Sequence, residues 1–169
     1  ADAGCKHITF GVESGSERLR YEVMHRKVTN KRLVKAFEWS HELGIITTAN
    51  YIIGTPTETR EDIEETIALH HRLKPHDFGY FVFYPYPGTP MYKTCMDMGL
   101  LPANFEDLSA NHRQTILLHD QLSHADIEEY YQRFTQLREQ NYLARYGQKL
   151  TDSGRETLRE QVEESACRG

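Results

Sequence analysis

Three apolar runs in this chain each break off into a small, polar turn punctuated by glycine or proline, and each turn leads into a helical pattern. The first ends Phe10-Gly11-Val12-Glu13-Ser14-Gly15-Ser16, and the second ends Tyr51-Ile52-Ile53-Gly54-Thr55-Pro56-Thr57-Glu58-Thr59. The third ends Phe83-Tyr84-Pro85-Tyr86-Pro87-Gly88-Thr89. Strand, turn and helix repeated in that order describe consecutive β/α units of a barrel. In such folds ligands sit at the carboxyl ends of the strands, so these turns are where function is to be sought.

The expected fold is therefore α/β: a partial TIM-type (β/α) barrel fragment of three parallel β/α units, followed by a helical C-terminal region. At 169 residues the chain is too short for eight units, which need roughly 250. It opens at Ala1 without methionine and its first strand starts near His7, which reads as a piece of a larger protein. The expected division is 1–102 for the barrel part, 103–146 for a cap with a long helix, and 147–169 for a charged tail. Within the tail only Leu150, Leu158 and Val162 are candidate anchors.

No apolar run approaches the ~20 residues of a membrane span, and no secretory signal pattern opens the chain. A net charge of −5 gives no help to phosphate-backbone binding, which argues against a nucleic-acid partner. Cys5, Cys95 and Cys167 are far apart and odd in number, offering neither a disulfide framework nor a metal-ligand spacing. A reduced, cytoplasmic setting is the simplest expectation. The nine histidines are scattered, and the adjacent pair His70-His71 cannot put both rings on one helix face.

Along the chain, Ile8, Phe10 and Val12 alternate as in a strand. Ser16 can cap a first helix carrying Leu19 and Val23. Thr29 or Asn30 caps a clearer one with Leu33, Ala36, Phe37 and Leu43 inside, stopped by Gly44. A second strand spans Ile45 to Ile53. Thr59 caps the next helix, with Asp62 near the positive end of its dipole and Ile63, Thr66, Ile67, His70 and Leu73 on its buried face. Phe78 to Tyr84 reads as the third strand. A short helix closes at Gly99, and Gln114 to Leu118 could form a further strand. Ser123, with Asp126, opens a long helix carrying Ile127, Tyr130, Tyr131, Phe134, Leu137 and Asn141 at helical spacing. Candidates to face the inside of the barrel are Phe10 or Val12, Asn50 or Ile52, and Phe81 or Phe83, one member of each pair.

Glu13 ends the first strand between two glycines that let a ligand approach the main chain. It is either a solvated loop carboxylate or an acceptor for vicinal hydroxyls or an amine. Arg26 can grip a carboxylate bidentately, or belong with His25 and Lys27 to a solvated basic cluster. Asn50, on the second strand, must satisfy either a neighbouring strand or a ligand hydroxyl, since an unpaired buried amide costs about 1–3 kcal/mol. Gly54-Thr55-Pro56 offers flat backbone to a planar ring. Tyr84-Pro85-Tyr86-Pro87 is either an ordinary proline-rich loop or a rigid surface suited to a purine.

Together these segments resemble the radical S-adenosylmethionine (SAM) enzymes, and most closely the branch that often carries a cobalamin-binding domain ahead of the barrel. Gly11 to Ser16 is similar to the family's fourth-strand ribose motif, Ile52 to Thr59 to its fifth-strand segment, and Tyr84 to Thr89 to its sixth-strand ending. The likeness covers about residues 4–102, with a weaker echo to about 146, and marks 1–102 as the carboxyl-terminal half of such a barrel. It implies that Glu13, with Ser14 and Gly15 beside it, contacts the SAM ribose, that Arg26 pairs with the methionyl carboxylate, and that Asn50 bonds a ribose hydroxyl. Backbone at Gly54, Tyr84 and Pro85 would hold the adenine. The family's CxxxCxxC motif is absent from the sequence. The resemblance therefore implies that the ligands of a 4Fe-4S cluster, and any cobalamin domain, lie outside this chain, in a missing N-terminal half that is its main partner. The implied activity of the intact enzyme is reductive cleavage of SAM to a 5′-deoxyadenosyl radical, for methyl transfer or oxidative or cyclising chemistry on a small molecule. Two other readings are a radical SAM tRNA-modifying enzyme without cobalamin and a noncatalytic nucleotide-binding β/α module.

Overall fold

Three parallel strands form one sheet in the computed structural model, which describes residues 2–147. In order they are β1 (His7–Glu13), β2 (Ile46–Ile53) and β3 (Asp77–Val82). Helices α1 (Asn30–Glu42) and α2 (Arg60–Leu73) follow the first two strands, and α3 (Pro90–Asp97) and α4 (His124–Tyr146) come after the third. The tail expected over 147–169, with Cys167 and the anchors Leu150, Leu158 and Val162, lies outside the described residues save for Gly147. No described helix is long and apolar enough to cross a membrane.

The helix starts follow the capping chemistry of the sequence. Thr29, Thr59, Thr89 and Ser123 each accept a hydrogen bond from the backbone three residues on, and Thr59–Asp62 and Ser123–Asp126 form full capping boxes. Each satisfies amide groups that the first helical turn leaves without partners. The first segment after β1 departs from expectation: Leu19–Val23 is a π-helical turn, closed by Met24 N donating to Leu19 O. The wider turn accommodates Arg20, whose buried guanidinium donates inward to the carbonyls of Ser14 and Val28 and to Asn30 Oδ1.

Alternation along the strands divides the sheet into two unlike faces. Val12, Ala49, Tyr51, Ile53, Phe78 and Val82 are buried toward the helices, packed with Phe37 of α1, Ile63 and Leu69 of α2, and Ile127 and Phe134 of α4. Burial of each large apolar side chain contributes about 1.5–3 kcal/mol, so this side holds the core. Thr9, Gly11, Thr48, Asn50, Ile52, Gly79 and Phe81 lie on the other, open face, where Phe81 is 43% exposed. The expectation that one member of each pair points inward is corrected here. Residues two apart share a face, so Phe10 and Val12 both turn to the helices, Asn50 and Ile52 both to the open face. Phe83 lies past the end of β3, in a smaller core with Cys95, Leu100 and Leu117.

The chain after α3 also differs from expectation. Residues 114–118 form no strand. Leu117 is drawn into the smaller core while its amide donates to Thr115 Oγ1, and Leu118 N donates to Leu100 O. At the outer edge of β3 His112 meets Val82: Val82 N donates to His112 O at 2.9 Å, and the His112 ring reaches Val82 O at 3.3 Å. Among the described residues no strand lies beside the outer edge of β1.

Candidate functional site

The strand register pairs Gly11 with Asn50, and Asn50 with Gly79. A row thus crosses the open face in which one carboxamide stands between two residues without side chains. A Cβ on Gly79 would fall 2.7 Å from Asn50 Oδ1 and 3.0 Å from Phe81 Cε2. One on Gly11 would fall 2.5 Å from Glu13 Oε1 and 3.1 Å from Arg26 Nη1. The carboxylate and amide therefore lie down on bare backbone, and the Phe81 ring folds back over Gly79.

Backbone geometry aims Glu13 at this row. The β1–β2 register slips between Gly11 and Glu13, and Glu13 takes φ +67°, a left-handed conformation uncommon for a residue with a Cβ. Its carboxylate pairs with Arg26, which arrives from beyond the π-helical turn and is 42% exposed. Only Nη1 of that guanidinium is engaged among the described residues, leaving further N–H donors for a second acceptor. Glu13, Arg26 and Asn50 are thus brought together at the carboxyl end of the open face.

Ser14 and Gly15 turn the other way, into α2. Gly15 N donates to Thr66 Oγ1 at 2.7 Å, and Thr66 Oγ1 donates on to Asp62 O, so Ser14 Oγ must donate in its 3.2 Å contact with Thr66. Ser16 Oγ donates to Asp62 Oδ1 at 2.6 Å, and Arg18 pairs with the other oxygen. Burial works to raise the Asp62 carboxyl, but hydrogen bonds from Ser16, Arg18 and Thr59 hold it below its ordinary value. The polar turn after β1 is thereby fastened to α2.

The remaining expected residues are spread along the rim. Gly54, at φ +76°, faces Ile127 Cδ1, Val82 Cγ1 and His119 Nε2 rather than the open face. Pro85 is buried, and Tyr84 donates its hydroxyl to Leu108 O at 3.0 Å while its ring stacks on Phe105. Sequence reasoning passed over Glu58, which is fully buried in the turn after β2. Its Oε2 accepts from Thr55 N at 2.9 Å, its Oε1 has no partner among the described residues, and burial pushes its carboxyl up to about 8. The run Thr55-Pro56-Thr57-Glu58 hinted at a turn closed on itself. Nothing in the sequence marked Arg20 or His112.

The donor set bears unequally on the two groups the family resemblance implies. The bare-backbone cradle with a carboxylate, a guanidinium and an amide fits a ligand carrying hydroxyls and a carboxylate, as SAM does. The cysteines do not fit a cluster: Cys95 is buried with its thiol pushed up to about 11, and Cys5 precedes β1 at the opposite end of the strands. Among the described residues no group of three His, Cys, Asp or Glu side chains could hold a metal ion.

With this geometry in place, similarity to known proteins becomes informative. Residues 1–70 match the model of the Radical SAM superfamily. The match takes in β1, the Glu13–Arg26 pair, Asn50 and most of α2. The chain is 31% identical over 100 residues to an uncharacterized methyltransferase of Pyrococcus horikoshii, covering 59% of this chain and 22% of that protein. It is 30% identical over 95 residues to the anaerobic magnesium-protoporphyrin IX monomethyl ester cyclase of Cereibacter sphaeroides, covering 56% and 15%. It is likewise 30% identical over 96 residues to the tRNA-2-methylthio-N(6)-dimethylallyladenosine synthase of Thermus thermophilus, covering 56% and 20%. The chain thus spans between 15% and 22% of the length of these relatives. The likeness to the Radical SAM superfamily thus rests on residues 1–70 and on relatives matched over about 95–100 residues.

Proposed function

We propose that this chain forms the carboxyl-terminal part of a radical SAM domain and that its open sheet face holds one side of the SAM molecule. The observation that carries this reading is the Gly11–Asn50–Gly79 row with Glu13 and Arg26 seated over it. Arg26 binds the methionyl carboxylate with the donors that Glu13 leaves free. Glu13 accepts from a ribose hydroxyl, and Asn50 from its place between two glycines bonds the other. SAM supplies radical chemistry when bound beside a reduced 4Fe-4S cluster, whose ligands we assign to a segment outside these 169 residues. That segment also covers the outer edge of β1. The protein's own part is to orient the cofactor and exclude side reactions.

The methyltransferase and cyclase relatives support methyl transfer or cyclising chemistry on a small molecule. Methyl transfer would bring in cobalamin, held by a domain elsewhere in the polypeptide. The net charge of −5 weighs against a tRNA substrate, which rewards clustered positive charge. The test is SAM affinity of the full-length, cluster-reconstituted protein by calorimetry. Arg26→Ala is expected to weaken binding by about 1.5–3 kcal/mol, the worth of a charge-assisted hydrogen bond. Unchanged affinity in that variant sinks the assignment.

A further inference from the structure

Beside Phe81, on the rim past β3, a second polar arrangement takes no part in the SAM reading. His112 Nδ1 lies 3.3 Å from Val82 O, and its Nε2 lies 2.8 Å from the Tyr86 hydroxyl. A carbonyl oxygen can only accept, so Nδ1 carries the ring proton. In the neutral ring Nε2 is then the acceptor, and Tyr86 donates to it. The imidazole is held on all sides. Its backbone oxygen accepts from Val82 N, and its ring lies 5.9–6.3 Å from those of Phe81, Tyr84 and Tyr86. The backbone of His112 sits at φ +53°, a conformation that costs a residue with a Cβ energy and persists where surrounding structure enforces it. Tyr86 is half exposed, and with its proton committed to His112 its oxygen lone pairs face outward. This is the logic of an oriented base acting through a hydroxyl: carbonyl, imidazole, hydroxyl, then ligand.

We propose that Tyr86 and His112 form a proton-accepting pair for a substrate that carries a dissociable O–H or N–H and lies over the open face. The substrate X–H bond breaks as its proton joins Tyr86 Oη, while the Tyr86 O–H bond breaks as its proton joins His112 Nε2. The substrate leaves the step with one negative charge, and the imidazolium holds one positive charge against Val82 O. Tyr86 is the group that touches the substrate, and His112 is the positioning base behind it. Where that substrate lies rests on the radical SAM reading, but the pair itself is tested without SAM or cluster.

The probe is tetranitromethane, which nitrates tyrosines as their phenolic proton departs, with sites mapped by peptide mass spectrometry on the intact chain. Tyr86 itself in the His112→Gln variant is the reference. A positioned base accelerates proton removal by about 10²–10⁴-fold, and for this half-exposed pair Tyr86 is expected to nitrate at least about tenfold faster in the wild type than in His112→Gln at the same pH. Equal rates of Tyr86 nitration in the wild type and in His112→Gln overturn the proposal. Should His112→Gln fail to fold, nitrogen-15 NMR of the wild-type ring decides: protonation on Nδ1 agrees with the pair, and protonation on Nε2 defeats it. Because SAM is absent from both measurements, their failure would leave the Arg26 result standing, and the reverse holds.

Discussion

Replacing Gly15 by alanine separates two reasons for a glycine in the turn after β1. If the residue is there for ligand approach, the variant should lose SAM affinity and keep its stability. The structure predicts the opposite order of effects. An added Cβ would fall 2.2 Å from Glu65 O and 2.4 Å from both Glu65 C and Thr66 Cα. These are backbone atoms in the middle of α2, which cannot rotate away, whereas carbon atoms pack best at about 3.5–4.0 Å. The turn must therefore lift off the helix by roughly an ångström, enough to break the 2.7 Å bond from Gly15 N to Thr66 Oγ1. Overpacking costs about 1–3 kcal/mol, and a buried amide left without its acceptor costs about 1–3 kcal/mol more. Gly15→Ala should thus lose about 2–6 kcal/mol, which at a urea m-value of about 2 kcal/mol/M lowers the unfolding midpoint by about 1–3 M. Thr66→Val, which keeps the shape and removes only the oxygen, should lose about 1–3 kcal/mol. An alanine variant that melts with the wild-type midpoint would refute the packing argument and return Gly15 to the ligand.

Three further outcomes follow from burial and ionisation. Phe78→Ala, on the helix side of β3, should cost about 3–5 kcal/mol, while Phe81→Ala on the open face should stay within about 0.5 kcal/mol; comparable losses in urea titrations would mean the two faces are misassigned. His70 is buried with its ring pushed down to about 4 from 6.5. Below pH 6.5 the unfolded chain binds a proton there that the folded chain refuses until about pH 4. Stability should fall across that window by about 3 kcal/mol, and the His70→Gln variant should lose that part of the slope. Glu58 has the opposite sense: its folded carboxyl titrates near 8 rather than 4.5, so the folded state holds a proton the unfolded state has released. Stability should decline as pH rises from 4.5 through 8, and Glu58→Gln should be more stable than wild type above pH 8; a variant that is less stable there would show that the carboxylate is ionised in place.

Much of this architecture was legible because its signals are local. Thr29, Thr59 and Ser123 announce helix starts through hydrogen bonds spanning three residues, and the β-branched run ending at Ile53 announces its strand. Glu13, Arg26 and Asn50 were legible as a set through a likeness of motifs, not through any pattern within the chain. What escaped depends on distant partners. Arg20 looks like any surface arginine until the carbonyls of Ser14 and Val28 are seen around it. The glycines of the first motif look alike in sequence, yet Gly11 makes room for Glu13 and Arg26 whereas Gly15 makes room for the backbone of α2. Residues 114–118 had strand composition, but among the described residues it is His112 whose backbone pairs with the outer edge of β3, at Val82.

The two sides of the rim are built from different materials, and that limits where this scaffold can change its target. On the β1 side, the turn at Ser14–Ser16 is tied to Thr66 and Asp62 through its own amide and hydroxyl groups, so almost any insertion there would tear the outer helix away. On the β3 side, the loop around Tyr84 and Tyr86 is held largely by rings leaning on rings and by hydroxyls reaching Leu108 and His112. Such contacts tolerate exchange of one ring for another, and loops of different length can supply them. A protein engineer seeking to change what this scaffold meets should leave the first rim alone and diversify residues 84–112. The same division of labour leaves this chain a fixed grip on one side of the rim and a replaceable surface on the other.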